Sequence, residues 1–498
     1  MATTATEREV KLSVPDAWQL PDLSAVRGVQ QVDDAGEHRL VATYHDTTDL
    51  RLLRARATFR RRLGGTDAGW HVKLPGESSG LRIEVRREHK RPPRTPPADL
   101  VAVLTARTRG AVLAPVMELV TVRHVRHLVA DGEVLAEVAD DRVTATGPDG
   151  VTERRREIEV ELLDGSTSLL NRVVKVLVKA GADPAAGPSK LATAIGPVPP
   201  AREQVARPRS LPGLVLAYLR DQVDALVDAD ARVRLDLLEG VHDLRVASRR
   251  LRSALAPHGR LLDADLVDHL RAELKALAAA GSAARDAEVL VERLPVEVAT
   301  LPAELQAQGL AEGLAEHLDE RLRTARAELL AELAGERYLA LLEDLEALVA
   351  GDTLPEPGPG GSDPRGATAS VRHDLRRIRR AIGAAGQVRG TDALPPALHE
   401  VRKAAKRARY AAELVAPKVG DKAEDLAERL ANLQDLLGLY QDDVVAQHRL
   451  RELAAAPDTA TGTSFALGAL HERVTADPDG AYRSARKAVR RAARGWPS

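Results

Sequence analysis

The chain has 498 residues, with 72 Lys and Arg against 73 Asp and Glu and a formal net charge of −1. That length suits two or three domains, each able to bury a core, and the charge balance excludes a uniformly basic nucleic-acid binder and an acidic solvating tail. The absence of cysteine excludes disulfides, thiolate metal sites and Cys nucleophiles, so any metal site must use carboxylates and His, which favour hard ions such as Mg2+ or Mn2+. Charge is dense at 29% while aromatic residues make up only 2%. Any strong field must therefore come from local clusters, and platforms that stack bases are disfavoured.

Up to about residue 200, short segments alternate charged and apolar residues. They are Glu7–Leu12, Phe59–Leu63, Trp70–Leu74, Leu81–Val85 and Glu157–Leu162. Period two bounded by Gly, Asp and Pro clusters predicts antiparallel strands and hairpins. Residues 167–180 have helical spacing, with Gly181 as the stop. The Pro-rich stretch 199–212 reads as a linker, and from 213 the sequence is helix after helix, rich in Ala, Leu, Glu and Arg. A second break at 351–367 divides the helical region into halves of about 213–350 and 368–495. No apolar run reaches the ~18 residues of a transmembrane span, and the N-terminus lacks the apolar core of a signal peptide. The expectation is a cytoplasmic protein without a membrane partner.

The helical region repeats. His242, Arg245, Arg249, Arg250 and Arg252 recur as His399, Arg402, Lys406, Arg407 and Arg409, and Gly281 and Asp286 recur as Gly438 and Asp443, all at an offset of 157. A duplication accounts for this.

In a strand, alternate side chains share a face. Glu7, Glu9 and Lys11 project together, as do Arg60 and Arg62, Arg82 and Glu84, and Glu157, Glu159 and Glu161. A wet outer sheet face is the plain reading. However, adjacent same-face glutamates repel unless a cation lies between them, and opposite signs segregated over several strands suit a barrel with a polar lumen. Carboxylates there would hold a divalent ion and cations would grip phosphate oxygens.

At these residues the sequence resembles the CYTH domains, the triphosphate tunnel metalloenzymes. Glu7-x-Glu9-x-Lys11 matches the ExExK signature. Ordered matches follow at Tyr44-x-Asp46-Thr47, Arg60-x-Arg62, Lys73, Arg82-x-Glu84, Arg123, Asp141, the Glu157/Glu159/Glu161 run and Ser189-Lys190. The resemblance implies an eight-stranded antiparallel tunnel that binds triphosphate groups. It implies metal ligands or near-ligands at Glu7, Glu9, Asp141, Glu157, Glu159 and Glu161. Two of the last three would ligate, with Glu159 and Glu161 favoured because Leu162-Leu163-Asp164-Gly165 follows. It places phosphate contacts at Lys11, Arg60, Arg62, Lys73, Arg82, Arg123 and Lys190, and catalysis at Glu7, Glu9, Lys11 and Lys73. The family hosts hydrolysis of inorganic triphosphate, thiamine triphosphate or RNA ends, and adenylate cyclisation; fold-level resemblance does not choose among them.

On a helix each residue advances about 100°, so His242, Arg245, Arg249 and Arg252 fall within about 80° of one another, as do their repeats. Ordinary exposed faces intersperse Glu with Lys or Arg. A like-charged row that appears twice suggests an anion site shared by two pseudo-symmetric halves. The arginines would repel a metal cation at the two histidines. These residues, with Arg285-Asp286, Leu433-Gln434, Gly438 and Gln441-Asp442, resemble the CHAD domain. That resemblance implies two four-helix bundles and polyphosphate binding at His242, Arg245, Arg249, Arg250, Arg252, His399, Arg402, Lys403, Lys406, Arg407 and Arg409.

The expectation is an α+β chain of two domains. Residues 4–198 form an eight-stranded β tunnel barrel with helices, and residues 213–495 form an all-α domain of two pseudo-repeated bundles. The expected function is Mg2+- or Mn2+-dependent hydrolysis of inorganic triphosphate or short polyphosphate, with polyphosphate held by the helical domain. The alternatives are a non-catalytic polyphosphate-binding protein, a triphosphatase for an organic triphosphate, and an adenylate cyclase. No specific nucleic-acid partner is expected, and polyphosphate granules are the expected place of association.

Overall fold

The computed structural model describes residues 3–76, 81–184, 189–198, 202, 210–258, 262–302, 310–351, 364–455, 461–474, 477–492, 494 and 496. It divides into two compact units, Met1–Ala201 and Arg202–Ser498.

The first unit is a closed antiparallel barrel. Its strands are β1 (Thr3–Val14), β2 (Gln31–Asp46), β3 (Thr58–Leu63), β4 (Gly69–Pro75), β5 (Leu81–Glu88), β6 (Ala114–Ala130), β7 (Glu133–Thr146) and β8 (Thr152–Leu162), joined in the order β1-β5-β4-β3-β2-β6-β7-β8. Three helices, α1 (Arg51–Arg54), α2 (Ala98–Thr108) and α3 (Thr167–Lys179), flank it in sequence, and a fourth, α4 (Lys190–Ile195), follows. All five predicted strand segments lie in strands. The long β6–β7 hairpin was not predicted, although its turn carries a signal: Asp131 and Gly132 both have positive φ, 52° and 84°, the requirement that makes Asp-Gly a hairpin turn.

Alternation decides what each strand presents. Leu12, Val14, Val138, Ile158 and Val160 face outward and pack on Leu169, Leu170, Val173 and Leu177 of α3. The α3 residues recur at helical spacing, so one stripe of the helix is apolar, and each fully buried Leu or Val is worth roughly 1.5–3 kcal/mol. Ser166 starts this helix by accepting the Leu169 N–H at 3.2 Å, and Gly181 ends it at φ 96°, as predicted. On the inward face, Ala42, Tyr44, Leu119, Val143 and Ala145 pack on Leu191 of α4, which sets the neighbouring Lys190 at the lumen.

The second unit contains α5 (Leu211–Arg234), α6 (Gly240–His258), α7 (Ala264–Ala299), α8 (Leu310–Ala334), α9 (Glu336–Ala350), α10 (Pro364–Gln387), α11 (Leu394–Val419), α12 (Asp421–Ala454), α13 (Thr461–Arg473) and α14 (Pro478–Ala492). The 157-residue offset carries the first residue of α7 onto the first residue of α12, and α6 into α11. Two expected breaks end earlier than the composition suggested. α5 begins at Leu211 and α10 at Pro364, because proline is favoured in a helix's first turn, where its missing N–H costs nothing. The remainder of those breaks, 199–201, 203–209 and 352–363, lies outside the described residues.

Candidate active site and anion-binding helices

The inward faces of the strands enclose a cavity of about 460 Å³, with Asp, Glu, Lys or Arg at 14 of its 25 lining positions. Register builds it. β1 and β8 place Glu9 opposite Glu161 and Lys11 opposite Glu159, β7 and β8 place Asp141 opposite Glu157, and β4 and β5 place Lys73 opposite Glu84. Lys11 Nζ lies 2.6 Å from Glu9 and 2.7 Å from Glu159. Lys73 Nζ lies 2.5 Å from Glu7, which also pairs with Arg86. Arg123 grips Asp141 with two nitrogens, at 2.9 and 2.8 Å, and also reaches Glu159. Lys190 Nζ lies 2.8 Å from both Asp141 and Glu157 and 2.9 Å from Glu159.

On the opposite wall, Arg60 donates to the Tyr44 hydroxyl at 3.3 Å and lies 3.6 Å from Glu84, while Arg62 contacts Asp67 at 2.5 Å. Glu84 is fully buried and is held by Arg86 and by His71 Nδ1 at 3.1 Å, while His71 Nε2 meets the Asp67 carbonyl at 2.8 Å. Arg82 lines the cavity and donates to the Arg56 carbonyl at 2.7 Å.

These pairings fix the charges. Burial pushes the Glu159 carboxyl up, but Lys11, Lys190 and Arg123 outweigh it and hold the group well below the usual carboxylate range. Burial likewise opposes the ionised Asp141, and Lys190 and Arg123 again win. Glu7 is raised, by burial first and then by a hydrogen bond with Glu84. Glu161 is pushed up to about 7 by burial and by Glu7, Glu159 and Glu9, against the pull of Lys73. It has no ion-pair partner among the described residues.

As placed, no three carboxylate or imidazole groups among the described residues stand together as a metal cage, because most of the carboxylates face Lys or Arg. The donor set nonetheless fits a hard divalent ion. The ligands are all oxygens, and Glu161, beside Glu7 and Glu9, has no ion-pair partner of its own among the described residues. Of the three late-strand glutamates, Glu157 and Glu159 both meet Lys190, at 2.8 and 2.9 Å, Glu159 also meets Lys11, and Glu161 stands opposite Glu9 of β1; Glu159 and Glu161 line the cavity.

Several lumen residues were not singled out as site residues. Tyr44 appeared only as a motif match, Glu84 as a motif match sharing a strand face with Arg82, and His71 only within the Trp70–Leu74 segment; Asp67, Arg86 and Glu137 did not appear at all. Arg86 and Glu137 were accessible from alternation, standing two and four residues from Glu84 and Asp141. Asp46, also a motif match, is buried away from the cavity lining, where it accepts backbone N–H groups of Thr47, Leu52 and Leu53 at 2.7–2.9 Å.

In the helical unit the two cation rows meet. Burial, then Arg249, Arg402 and Arg245, push the Lys406 ammonium down to about 6. Arg245 and Arg402 are both lowered by burial and by neighbouring guanidinium groups, with Asp286 and Asp442 opposing. Like charges from α6 and α11 thus face one another with little neutralisation. The repeated glycines explain how the arginines fit: a Cβ on Gly281 would lie 3.0 Å from Arg245 Cγ, and one on Gly438 would lie 3.0 Å from Arg402 Nη2.

The two histidines flank the rows. His242 lies 3.8 Å from Glu239, and His399 Nδ1 lies 3.3 Å from Gln441. Arg252 is lowered by burial and by Arg271 and Arg407. Other sequence candidates are already engaged. Arg250 and Arg409 both bind Glu413, at 3.1 and 2.7 Å, and Arg250 also lies over the Tyr410 ring. Lys403 pairs with Glu400 at 2.7 Å on the surface.

The CYTH domain model matches residues 5–182 and the CHAD domain model matches residues 217–451. An uncharacterized protein found in two strains of Mycobacterium tuberculosis is 33% identical over 516 residues, covering 98% of this chain and 97% of that protein. Among solved structures, PptA from Streptomyces chartreusis is 22% identical, covers 56% of this chain and 97% of its own, and gives a TM-score of 0.44. The CHAD domain from the plant Ricinus communis is 24% identical, covers 58% and 96%, and gives 0.46.

Proposed function

This chain belongs to the CYTH and CHAD families, and from that premise we propose that its barrel hydrolyses inorganic triphosphate or short polyphosphate while its helical unit binds polyphosphate. The CYTH family is metal-dependent; which metal serves here, Mg2+ or Mn2+, is part of the proposal.

The observation that carries the reading is the set of charges gathered in one lumen. Glu7, Glu9, Glu159 and Glu161 come from β1 and β8, and Arg60, Arg62, Lys73 and Arg86 from β3, β4 and β5, with Lys73 and Arg86 reaching Glu7. The chemistry a divalent ion would supply here is Lewis-acid activation of the phosphate toward attack by water. Glu7, Glu9, Glu159 and Glu161 would hold the ion, with Asp141 and Glu157 beside Lys190. Lys11, Lys73, Arg60, Arg62, Arg123 and Lys190 would orient the phosphate chain and neutralise charge developing on its oxygens. Among the described residues of the cavity lining Tyr44 is the only Phe, Tyr or Trp, beside the imidazoles of His38 and His127, and Arg60 donates to its hydroxyl. The lumen therefore favours a bare phosphate chain over a ligand whose base needs a stacking surface.

The deciding experiment measures phosphate release from tripolyphosphate, thiamine triphosphate, ATP and long-chain polyphosphate, with and without Mg2+ or Mn2+. Metal-dependent orthophosphate release from tripolyphosphate above the others supports the reading. Pyrophosphate and cyclic AMP from ATP would replace it with cyclisation, and no turnover of any substrate would leave a binding protein.

A further inference from the structure

α10 and α14 pack side by side in the helical unit and leave a cleft of about 500 Å³ between them. These are not the helices that carry the two cation rows. α10 has six arginines against one carboxylate, Asp374, and α14 has four arginines and a lysine against one, Asp479. The nearby carboxylates are taken: Arg389 binds Asp479 at 2.9 Å and Arg483 lies 3.7 Å from Asp477. Arg379, Arg486 and Arg490, which line the cleft, have no carboxylate partner among the described residues.

The floor is different. Ile382, Val489 and the Tyr482 ring line it, all buried. A Cβ on Gly383 would meet nothing within 4 Å, so the cleft is open at that point. A chain of inorganic phosphates gains nothing from an apolar floor, since burying apolar surface rewards only a ligand that has some. Guanidinium forks on the rim with an apolar base between them suit a ligand with phosphate at one end and a flat organic body at the other.

We propose that the cleft between α10 and α14 binds a nucleoside phosphate, its phosphate held by Arg379, Arg486 and Arg490 and its sugar and base lying on Ile382 and Val489. The ligand is either a free nucleotide or one residue of a single-stranded RNA, since both present the same group. The site does not depend on the tunnel reading, because it uses none of the tunnel's residues.

The test is equilibrium binding of fluorescent ADP, of an oligouridylate of about ten residues and of inorganic polyphosphate to the full chain. Wild type is compared with Gly383→Leu and with the triple variant Arg379→Ala, Arg486→Ala, Arg490→Ala. Leucine fills the cleft without changing charge and suits a helix better than glycine by up to about 1 kcal/mol, so that variant keeps its fold. Gly383→Leu should weaken ADP and oligouridylate about tenfold while leaving inorganic polyphosphate within about twofold. The triple variant should weaken both nucleoside ligands at least as much. Equal affinity for ADP and oligouridylate assigns the site to the free nucleotide; tighter, strongly salt-dependent oligouridylate binding assigns it to a strand. If wild type binds neither nucleoside ligand, or Gly383→Leu binds both as wild type does, the proposal is wrong. Loss of inorganic polyphosphate alone in the triple variant would also overturn it.

Discussion

Replacing Glu161 with Gln should stabilise the barrel, and only above a particular pH. The Glu161 carboxyl is pushed up from 4.5 to about 7, chiefly by burial and then by Glu7. A raised carboxyl is favoured in its protonated form by the fold. Its contribution is therefore fully present below the unfolded value and is lost as pH climbs through about 7. At about 1.4 kcal/mol per unit the shift sets a ceiling of about 3 kcal/mol, and partial exposure with solvent screening brings the expected effect to roughly 1–2 kcal/mol. Glu161→Gln keeps the shape and removes the charge. The metal-free variant should exceed wild type by that amount at about pH 8, and the gap should shrink to a few tenths near pH 4.5. Urea unfolding followed by tryptophan fluorescence in a Trp496→Phe background reads the barrel alone, since Trp18 and Trp70 both lie in its unit. Saturating Mg2+ should reverse the order, because ligand that binds only the folded state stabilises it and wild type keeps the charged oxygen. A Glu161→Gln effect of equal size at both pH values would refute the reasoning, as would Mg2+ stabilising the two proteins equally.

Glu7→Gln or Glu9→Gln should lower tripolyphosphate hydrolysis about a hundredfold with far-UV circular dichroism unchanged; wild-type turnover at saturating Mg2+ would remove both from the metal site. Lys11→Ala and Arg62→Ala should raise KM for tripolyphosphate about tenfold, with metal affinity, measured calorimetrically without substrate, not lowered. In the helical unit, the triple changes Arg245→Ala, Arg249→Ala, Arg252→Ala and Arg402→Ala, Lys406→Ala, Arg409→Ala should each weaken long-chain polyphosphate and flatten its salt dependence, leaving tripolyphosphate turnover intact. Gly438→Val should weaken polyphosphate in the same assay, since its side chain must displace Arg402; wild-type affinity and salt slope in all three would make the rows ordinary solvated faces. Arg250→Ala should cost about 1 kcal/mol of stability and change polyphosphate affinity less than about twofold, because its guanidinium is occupied by Glu413.

The parts of this protein that were legible in its sequence depend on short-range periodicity. Glu7, Glu9 and Lys11 share a face whatever the strand pairs with, and His242 to Arg252 share one whatever packs behind them. Partnership was not legible. Lys73 meets Glu7 across 66 residues, a consequence of β1 pairing with β5 and β8 to close the barrel, and nothing local to either residue encodes it. The convergence of Arg249 with Arg402 and Lys406 depends likewise on how α6 meets α11. One local partnership was legible: Glu413 stands four residues after Arg409, the spacing at which helical ion pairs form, and the two pair at 2.7 Å. The glycine repeat was visible as a number, but its cause was not. Gly281 and Gly438 make room for arginines on a different helix, and only packing reveals that.

The lumen also bears on why a chain of net charge −1 can present a phosphate site at all. Lys11, Lys73, Arg86, Arg123 and Lys190 each contact at least one carboxylate, so the lumen neutralises itself in the absence of ligand. Separating any one of these buried pairs strands a charge at a cost of several kcal/mol. On the proposed reading, phosphate oxygens could therefore draw Lys11 away from Glu9 and Glu159 only if something else compensates those carboxylates at the same time. A divalent cation would do so, and the phosphate would in turn compensate the released lysines and arginines. Metal and triphosphate then bind as mutually dependent ligands, each strengthening the other by the same factor. Free phosphate would meet cations that are already paired, and free metal would find chiefly Glu161 beside Glu7 and Glu9, so each alone binds more weakly than in the presence of the other. Glu161 is the group this arrangement leaves over, a carboxylate with no cation of its own, and this is why the charge state of that one side chain is the most direct probe of the barrel's chemistry.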